Sequence, residues 1–308
     1  MHRHHATRRS DSMSSLKDLS NDLADLVDKS SKSVVRVDAR RGRAGTGIVW
    51  DSGLILTANH VVEQEDDIEV VVGEKSSKAT LVGRDPATDI ALLKIDDGLT
   101  APAMSRAKVA DLKPGQIVIA IGRPGSLKAT FGTISSVSSP WRGWRGSEIE
   151  HVIQTNAPLY PGFSGGPLVD ADGRAVGMNS WVFGRGDGRA IAMDVAERVV
   201  ESLRKDGRIK RPYLGIGTQE VPLPDAVKTQ AKQDSGLLVV AVEPKSPADH
   251  AGLMQGDTLL ALDSNTTESL EDLFSGLRKA SVGSSHKLRV VRAGEVKEFT
   301  VTLGEAAR

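Results

Sequence analysis

The sequence contains no cysteine among its 308 residues. This absence excludes a disulfide framework, a cysteine nucleophile and any zinc or iron–sulfur site that depends on thiolate ligands. It does not decide the compartment, because cysteine-free proteins occur in oxidising and reducing compartments alike.

Aromatic residues are scarce, at 4% of the chain within a hydrophobic share of 39%. The cores must therefore consist mainly of Val, Leu, Ile and Ala side chains. No apolar run is long enough to cross a membrane, and none follows the charged residues 1–9, so no signal peptide is predicted. On that ground the sequence favours a cytoplasmic location. His2, His4 and His5 are interpreted as part of a disordered tail rather than a metal site.

Neither sign of charge is in excess, since 40 basic residues balance 40 acidic ones. Attraction to nucleic acid or to an anionic membrane is therefore not predicted. Basic clusters at residues 8–9, 40–43 and 142–145 are interpreted as solvated loops and turns. No metal-ligand spacing such as His-Glu-x-x-His occurs, so no metal and no organic cofactor is predicted.

Glycine is plentiful, with 31 residues, and it separates many short β-type runs that begin at residue 34. Short strands at regular spacing with little helix predict a sandwich or closed barrels. Residues 1–32 are predicted to form a leader (1–13) and a short helix from residue 14. A β-rich domain is expected at 33–206, then a polar linker, then a small α+β domain at 213–304.

Three motifs contain residues suited to nucleophilic chemistry: His60 at the end of a β-run, Asp89 before an apolar strand, and Ser164 within a Gly-x-Ser-Gly-Gly-Pro motif. A serine hydroxyl needs a base to take its proton, and histidine titrates near neutral pH. An aspartate would fix the tautomer of that histidine. The N–H groups of Gly162 and Ser164 would form an oxyanion hole. Each motif alone also fits a structural role, but their combination in this order predicts a catalytic triad.

With these motifs the chain resembles the chymotrypsin-like serine proteases, and among them the HtrA/DegP family of proteases with PDZ domains. The Thr-Ala-x-His motif ending at His60, the Asp-Ile-Ala-Leu motif from Asp89 and the serine motif all match. A Ser-Pro-Ala-x-x-Ala-Gly-Leu-x-x-Gly-Asp motif at residues 246–257 resembles the PDZ helix and turn. Four consecutive residues resemble the PDZ carboxylate-binding loop: Tyr213, Leu214, Gly215 and Ile216.

This resemblance implies a mainly β fold, with two six-stranded β-barrels of chymotrypsin type followed by a small α+β PDZ domain. It implies a serine endopeptidase that acts on unfolded or misfolded proteins and binds hydrophobic peptide C-termini in the PDZ groove. It also implies a homo-oligomer, usually a trimer, and allows an extracytoplasmic location. At Phe163 the family commonly has Asn, and a phenylalanine excludes activation through an ion pair with a freed N-terminus.

Four residues are expected to wall the pocket for the substrate side chain before the scissile bond (the S1 pocket), together with Pro158: Leu159, Ala190, Ile191 and Met193. None is acidic, so cleavage after Val, Ala or Leu is predicted rather than after Arg or Lys. The competing interpretation is a catalytically silent chaperone or peptide-binding adaptor. An esterase is disfavoured, because the α/β sheet usual for that class is missing.

Overall fold

The computed structural model describes residues 5–95, 101–138, 141–142, 148–183 and 188–305. The chain divides between Ile209 and Lys210 into two compact units. Two sequence interpretations fall partly outside the described residues: the histidine tail at His2 and His4, and the basic cluster at residues 143–145.

The first unit begins with a 27-residue helix, α1 (His5–Ser31). The predicted leader at residues 1–13 is thus wrong from His5 onward, and the helix is longer than expected. The physical reason is that residues 5–13 contain neither glycine nor proline, so nothing in the sequence stops the helix from extending. Three partly buried residues, Leu23, Leu26 and Val27, pack on the core of this unit.

The first barrel is a closed sheet of six antiparallel strands in the order β1-β2-β3-β6-β5-β4. Its strands are β1 (Val34–Asp38), β2 (Gly45–Asp51), β3 (Leu54–Ala58), β4 (Ile68–Val72), β5 (Lys75–Asp85) and β6 (Ile90–Ile95). Strand β3 pairs with β6, so that Ala58 lies opposite Ile90. This register brings the end of β3 beside the start of β6.

The second barrel is also closed, in the order β11-β14-β13-β12-β7-β8. Its strands are β7 (Ile117–Gly122), β8 (Lys128–Ser138), β11 (Val152–Thr155), β12 (Pro167–Val169), β13 (Ala175–Asn179) and β14 (Gly188–Ala192). A two-stranded ribbon, β9 (Trp141–Arg142) with β10 (Glu148–Ile149), lies between β8 and β11 in the chain.

Helix α2 (Met193–Asp206) closes the first unit and buries one apolar face that includes Val199, Val200 and Leu203. It ends at Gly207, which has a φ of 69°. That left-handed conformation is the usual way for a helix to stop, and it suits glycine.

The second unit is a mixed α and β fold around its own core. Its main sheet has the order β16-β17-β18-β20-β21, with β19 paired to β18, while β15 pairs with β22. The strands are β15 (Pro212–Tyr213), β16 (Ile216–Pro222), β17 (Ser235–Val242), β18 (Thr258–Leu262), β19 (Asn265–Thr266), β20 (Ser285–Arg292), β21 (Glu295–Thr302) and β22 (Gly304–Glu305). The helices are α3 (Asp225–Ala231), α4 (Pro247–His250) and α5 (Leu270–Lys279).

The predicted fold class is confirmed: two closed six-stranded barrels precede a smaller α+β unit. Within the described ranges, no helix is long and apolar enough to cross a membrane. The same ranges contain no cluster of three or more His, Asp or Glu side chains arranged to hold a metal ion.

Candidate active site

His60 and Asp89 form a close pair at the end of the first barrel. His60 lies in a short 3₁₀ turn (Asn59–Val61) directly after β3. Its ring atom Nδ1 is 2.9 Å and 2.8 Å from the two carboxylate oxygens of Asp89. Its backbone N–H donates to the same carboxylate at 2.9 Å. A proton on Nδ1 therefore points at Asp89, which leaves Nε2 of the neutral ring as a base.

Asp89 is buried, with 2% of its surface exposed, and sits just before β6. Its φ of 56° lies in the left-handed region, which aspartate tolerates better than most residues. The backbone N–H of Asn59 donates to its carbonyl at 2.9 Å, joining the two strand ends. These contacts fix the carboxylate under the imidazole.

Ser180 is a third member of this cluster that the sequence did not reveal. Its hydroxyl donates to Asp89 Oδ2 at 2.6 Å, and the residue is 1% exposed. A buried carboxylate needs such donors, because an unpaired charge away from water is costly. Ser180 directly follows β13, but a serine after a strand has no distinguishing pattern.

Ser164 lies in a tight turn that only glycine permits at two positions. Gly162 and Gly165 have φ values of 91° and 85°. A Cβ on Gly165 would lie 2.0 Å from the carbonyl oxygen of Thr46. Across the described part of the chain, the N–H groups of Gly162 and Ser164 have no protein acceptor, whereas that of Phe163 donates to Tyr160 at 3.0 Å. The two groups predicted as oxyanion donors are thus free for a ligand.

The hydroxyl of Ser164 accepts a hydrogen bond from the backbone N–H of Trp181 at 3.3 Å. Among the described residues no hydrogen bond joins Ser164 to His60. Such bonds are often long before substrate binds. In this structure His60 is therefore bonded to Asp89, while the Ser164 hydroxyl is bonded to the N–H of Trp181.

Phe163 points away from solvent into the core of the second barrel and is fully buried. Its ring meets that of Tyr160 edge to face, with centroids 5.9 Å apart. A Cβ on Gly122 would lie 2.6 Å from the Phe163 ring. The side chain of Phe163 thus anchors the turn that contains Ser164.

The four residues predicted to wall the S1 pocket pack in two different core clusters, and their assignment to that pocket stays a prediction. Ala190 and Leu159 pack in the core of the second barrel, whereas Ile191 and Met193 belong to the larger core cluster of the first unit. The reason is strand geometry, since consecutive residues of β14 point to opposite faces.

The predicted carboxylate-binding loop, Tyr213 to Ile216, precedes the edge strand β16 of the second unit. Gly215 has a φ of 82°, and a Cβ there would lie 2.2 Å from Ser246 Cβ. The carbonyl of Gly215 accepts from the N–H of Glu243 at 2.9 Å, and that of Leu214 accepts from Ala248 at 2.9 Å. As far as the described residues go, the N–H groups of Leu214 and Gly215 have no acceptor.

Comparisons with known proteins agree with this architecture. Residues 45–178 match the family model of the trypsin-like peptidase domain, and residues 212–303 match that of the PDZ domain. A probable periplasmic serine endoprotease, DegP-like, of Halomonas elongata is 37% identical over 277 residues, covering 87% of this chain and 57% of that protein. The DegP-like protein of Pseudomonas fluorescens is 37% identical over 267 residues, covering 84% of this chain and 56% of that protein.

This chain therefore spans a little over half the length of these curated relatives. Among solved structures, the HtrA-type protease AlgW with decapeptide has a TM-score of 0.77 at 26% identity, covering 92% of this chain and 99% of that one. The serine endoprotease from Yersinia pestis has a TM-score of 0.74 at 29% identity, covering 92% and 97%.

Both structural units, their order along the chain and the sequence identities point the same way. The chain belongs to the HtrA/DegP-like family, with a chymotrypsin-like serine protease domain followed by a PDZ domain.

Proposed function

We propose that this chain is a serine endopeptidase with Ser164 as nucleophile, His60 as general base and Asp89 as the carboxylate that orients the base. The observation that carries the proposal is the contact of His60 Nδ1 with both oxygens of the buried Asp89. A chaperone or adaptor without catalysis does not require a histidine paired with a buried aspartate.

The chemistry follows from these atoms. Ser164 Oγ attacks the scissile carbonyl while Nε2 of His60 takes its proton, and Asp89 stabilises the imidazolium that forms. The negative oxygen of the tetrahedral intermediate accepts from the free N–H groups of Gly162 and Ser164. His60 then returns the proton to the leaving amine, and a water molecule hydrolyses the acyl-enzyme by the same steps.

The second unit is proposed to bind hydrophobic peptide C-termini at residues 213–216. Its edge strand β16 is paired on one side only, by β17, within the described sheet. An extended peptide could add there as a strand, with its carboxylate on the free N–H groups of Leu214 and Gly215. The related HtrA-type protease AlgW has been solved with a decapeptide, which supports peptide binding here.

The wider setting is also a proposal. Unfolded or misfolded proteins are the proposed substrates, a homotrimer the proposed assembly, and residues 33–206 and 213–304 the proposed domain limits. The names of the relatives support an extracytoplasmic location, and the cytoplasmic expectation has no support from them. Light scattering after size-exclusion chromatography measures the assembly, and a monomer would contradict the trimer.

The peptidase proposal is tested by digestion of casein with wild type, Ser164→Ala and the control Ser135→Ala, which alters an exposed serine of β8. Wild type and the control should cleave, and Ser164→Ala should not. If wild type is as inert as Ser164→Ala while client aggregation is still suppressed, the chaperone interpretation replaces the peptidase.

Substrate preference provides a separate prediction. Leu159 and Ala190 share one apolar cluster in the second barrel. Neither is charged, so cleavage after Val, Ala or Leu is expected. A peptide library that reveals preferred cleavage after Lys or Arg contradicts their assignment to the S1 pocket.

A further inference from the structure

Thr46 connects the first barrel to the turn that holds Ser164. It is the second residue of β2 and is fully buried. Its N–H donates to the carbonyl of Ser164 at 3.1 Å, and its hydroxyl donates to the carbonyl of Gly162 at 2.6 Å. Its own carbonyl accepts from the hydroxyl of Thr57 at 2.7 Å. Every polar group of Thr46 is therefore engaged.

The direction of the hydroxyl proton is fixed by its partners. The backbone N–H of Arg123 donates to Thr46 Oγ1 at 2.7 Å. A backbone N–H only donates and a carbonyl oxygen only accepts, so the proton on Oγ1 must point at Gly162. The hydroxyl of Thr46 is thus a fixed donor to the carbonyl of Gly162. A valine at position 46 would lose this hydrogen bond and the one from Arg123.

These contacts fix two peptide planes around the nucleophile. In the plane that joins Gly162 and Phe163, the carbonyl is held by Thr46 and the N–H by Tyr160. In the plane that follows Ser164, the carbonyl is again held by Thr46, and the N–H of Gly165 donates to Asn179 at 2.9 Å. Peptide units are planar, so the Ser164 N–H between these planes has little freedom left.

We propose that Thr46 is a positioning residue for the oxyanion hole. Its hydroxyl and N–H hold the peptide groups beside the N–H groups of Gly162 and Ser164, so that both donors face the developing oxyanion. The proposal rests on the peptidase function proposed above. It assigns Thr46 no contact with substrate, so Thr46 serves transition-state stabilisation and leaves binding of the uncleaved peptide unaffected.

The test compares Thr46→Val, which removes the hydroxyl at nearly constant shape, with Thr46→Ser, which keeps it. Loss of an oxyanion donor typically lowers kcat by about 10²–10³-fold. For Thr46→Val we expect kcat to fall at least about tenfold with KM within about twofold, since the donors are misaligned rather than removed. Binding of a peptide aldehyde, which forms a tetrahedral adduct, should weaken in parallel with kcat. Thr46→Ser should restore both.

The matched control is Thr155→Val. Thr155 is also buried, and its hydroxyl donates to the carbonyl of Thr133 at 2.8 Å and accepts from the N–H of Ala157 at 3.1 Å, away from the Ser164 turn. Thr155→Val should leave both kcat and the affinity for the peptide aldehyde near their wild-type values. Thr46→Cys, which keeps a weak donor, serves if Thr46→Val does not fold, and its kcat should then lie below that of Thr46→Ser.

Two outcomes overturn the positioning role: wild-type kcat in a folded Thr46→Val, or wild-type kcat in Thr46→Cys. Either leaves the peptidase proposal intact so long as Ser164→Ala is inactive. If Ser164→Ala instead cleaves as well as wild type, the peptidase proposal fails first.

Discussion

Asp89 is a buried carboxylate that three donors surround: the N–H of His60, the ring Nδ1 of His60 and the hydroxyl of Ser180. Burial of a charge without partners is costly, so each donor matters both to stability and to the orientation of the ring. Because the backbone and the ring of one histidine bind the same carboxylate, the imidazole cannot rotate without breaking a hydrogen bond.

Ser180→Ala should lower kcat, because it removes one of these donors. A hydrogen bond to a charged group contributes about 1.5–3 kcal/mol, which corresponds to about a ten- to hundredfold loss. KM should change little, as Ser180 acts through Asp89. Steady-state kinetics on a peptide substrate measures both constants. Wild-type kcat in the alanine variant would show that His60 alone suffices to orient the carboxylate.

Phe163→Ala should destabilise the protease unit by about 3–5 kcal/mol, the usual cost of emptying a buried aromatic site. Phe163 is fully buried, whereas Phe131 is 52% exposed to solvent. Phe131→Ala therefore serves as the control. Urea unfolding followed by tryptophan fluorescence measures the difference. Equal midpoints for the two variants would contradict an anchoring role.

At the residue scale the sequence revealed what has a local pattern. Ser164 was predictable because the turn around it needs glycine at positions 162 and 165. Both have positive φ, and Gly165 also lies too close to Thr46 for a side chain, so the turn is visible as a glycine motif. Ser180 was not, since its role arises from the fold bringing the end of β13 to Asp89. For Ile191 the sequence could not show which face of β14 it occupies, because that depends on how the barrel closes.

At the scale of elements, the strands could be predicted from the sequence because short apolar runs alternate with turn residues. Barrel closure could not follow from that pattern, since β1 pairs with β4 and β8 with β11 across many intervening residues. Helix α1 began earlier than predicted because residues 5–13 have no apolar residues spaced three or four apart to mark them as helix.

Gly215→Val should abolish peptide binding by the second unit. Its φ of 82° disfavours a branched side chain, and a Cβ would collide with Ser246. The loop would have to shift, which would displace the N–H groups of Leu214 and Gly215. Isothermal titration with a peptide ending in a hydrophobic residue measures the loss. Gly294→Val, at a turn with no atom within 4 Å of the added Cβ, controls for backbone strain alone.

At the scale of the whole molecule, each unit has its own core. In the second unit, burial alone would raise the pKa of Asp257, but hydrogen bonds from Arg292 and from the N–H of Met254 outweigh it and hold that pKa below its ordinary value. Hydrogen bonds from His286 and from the N–H of Lys287 likewise lower the pKa of Asp263.

A lowered pKa in the folded state stabilises that state above the unfolded value, which is about 3.9 for aspartate. This stabilisation is lost as pH falls through the folded pKa. We therefore expect the unfolding temperature of the second unit to drop below about pH 4. Asp257→Asn should lower the unfolding temperature at pH 7 and reduce its further decline in acid. Asp234→Asn, which alters an exposed residue, should leave both the unfolding temperature and its decline as in wild type. Calorimetry from pH 7 to 3 measures this, and parallel curves for all three proteins would contradict it.

The closure of both barrels has a consequence for the proposed action on unfolded chains. All six strands of each barrel are hydrogen-bonded on both sides, so neither barrel presents an open edge to a stray polypeptide. An unfolded chain near Ser164 finds no template there on which to extend a sheet. The open edge of β16 lies in the other unit, next to the loop proposed to bind a peptide carboxylate. The closed topology thereby leaves both barrels without a strand edge on which an aggregate could grow.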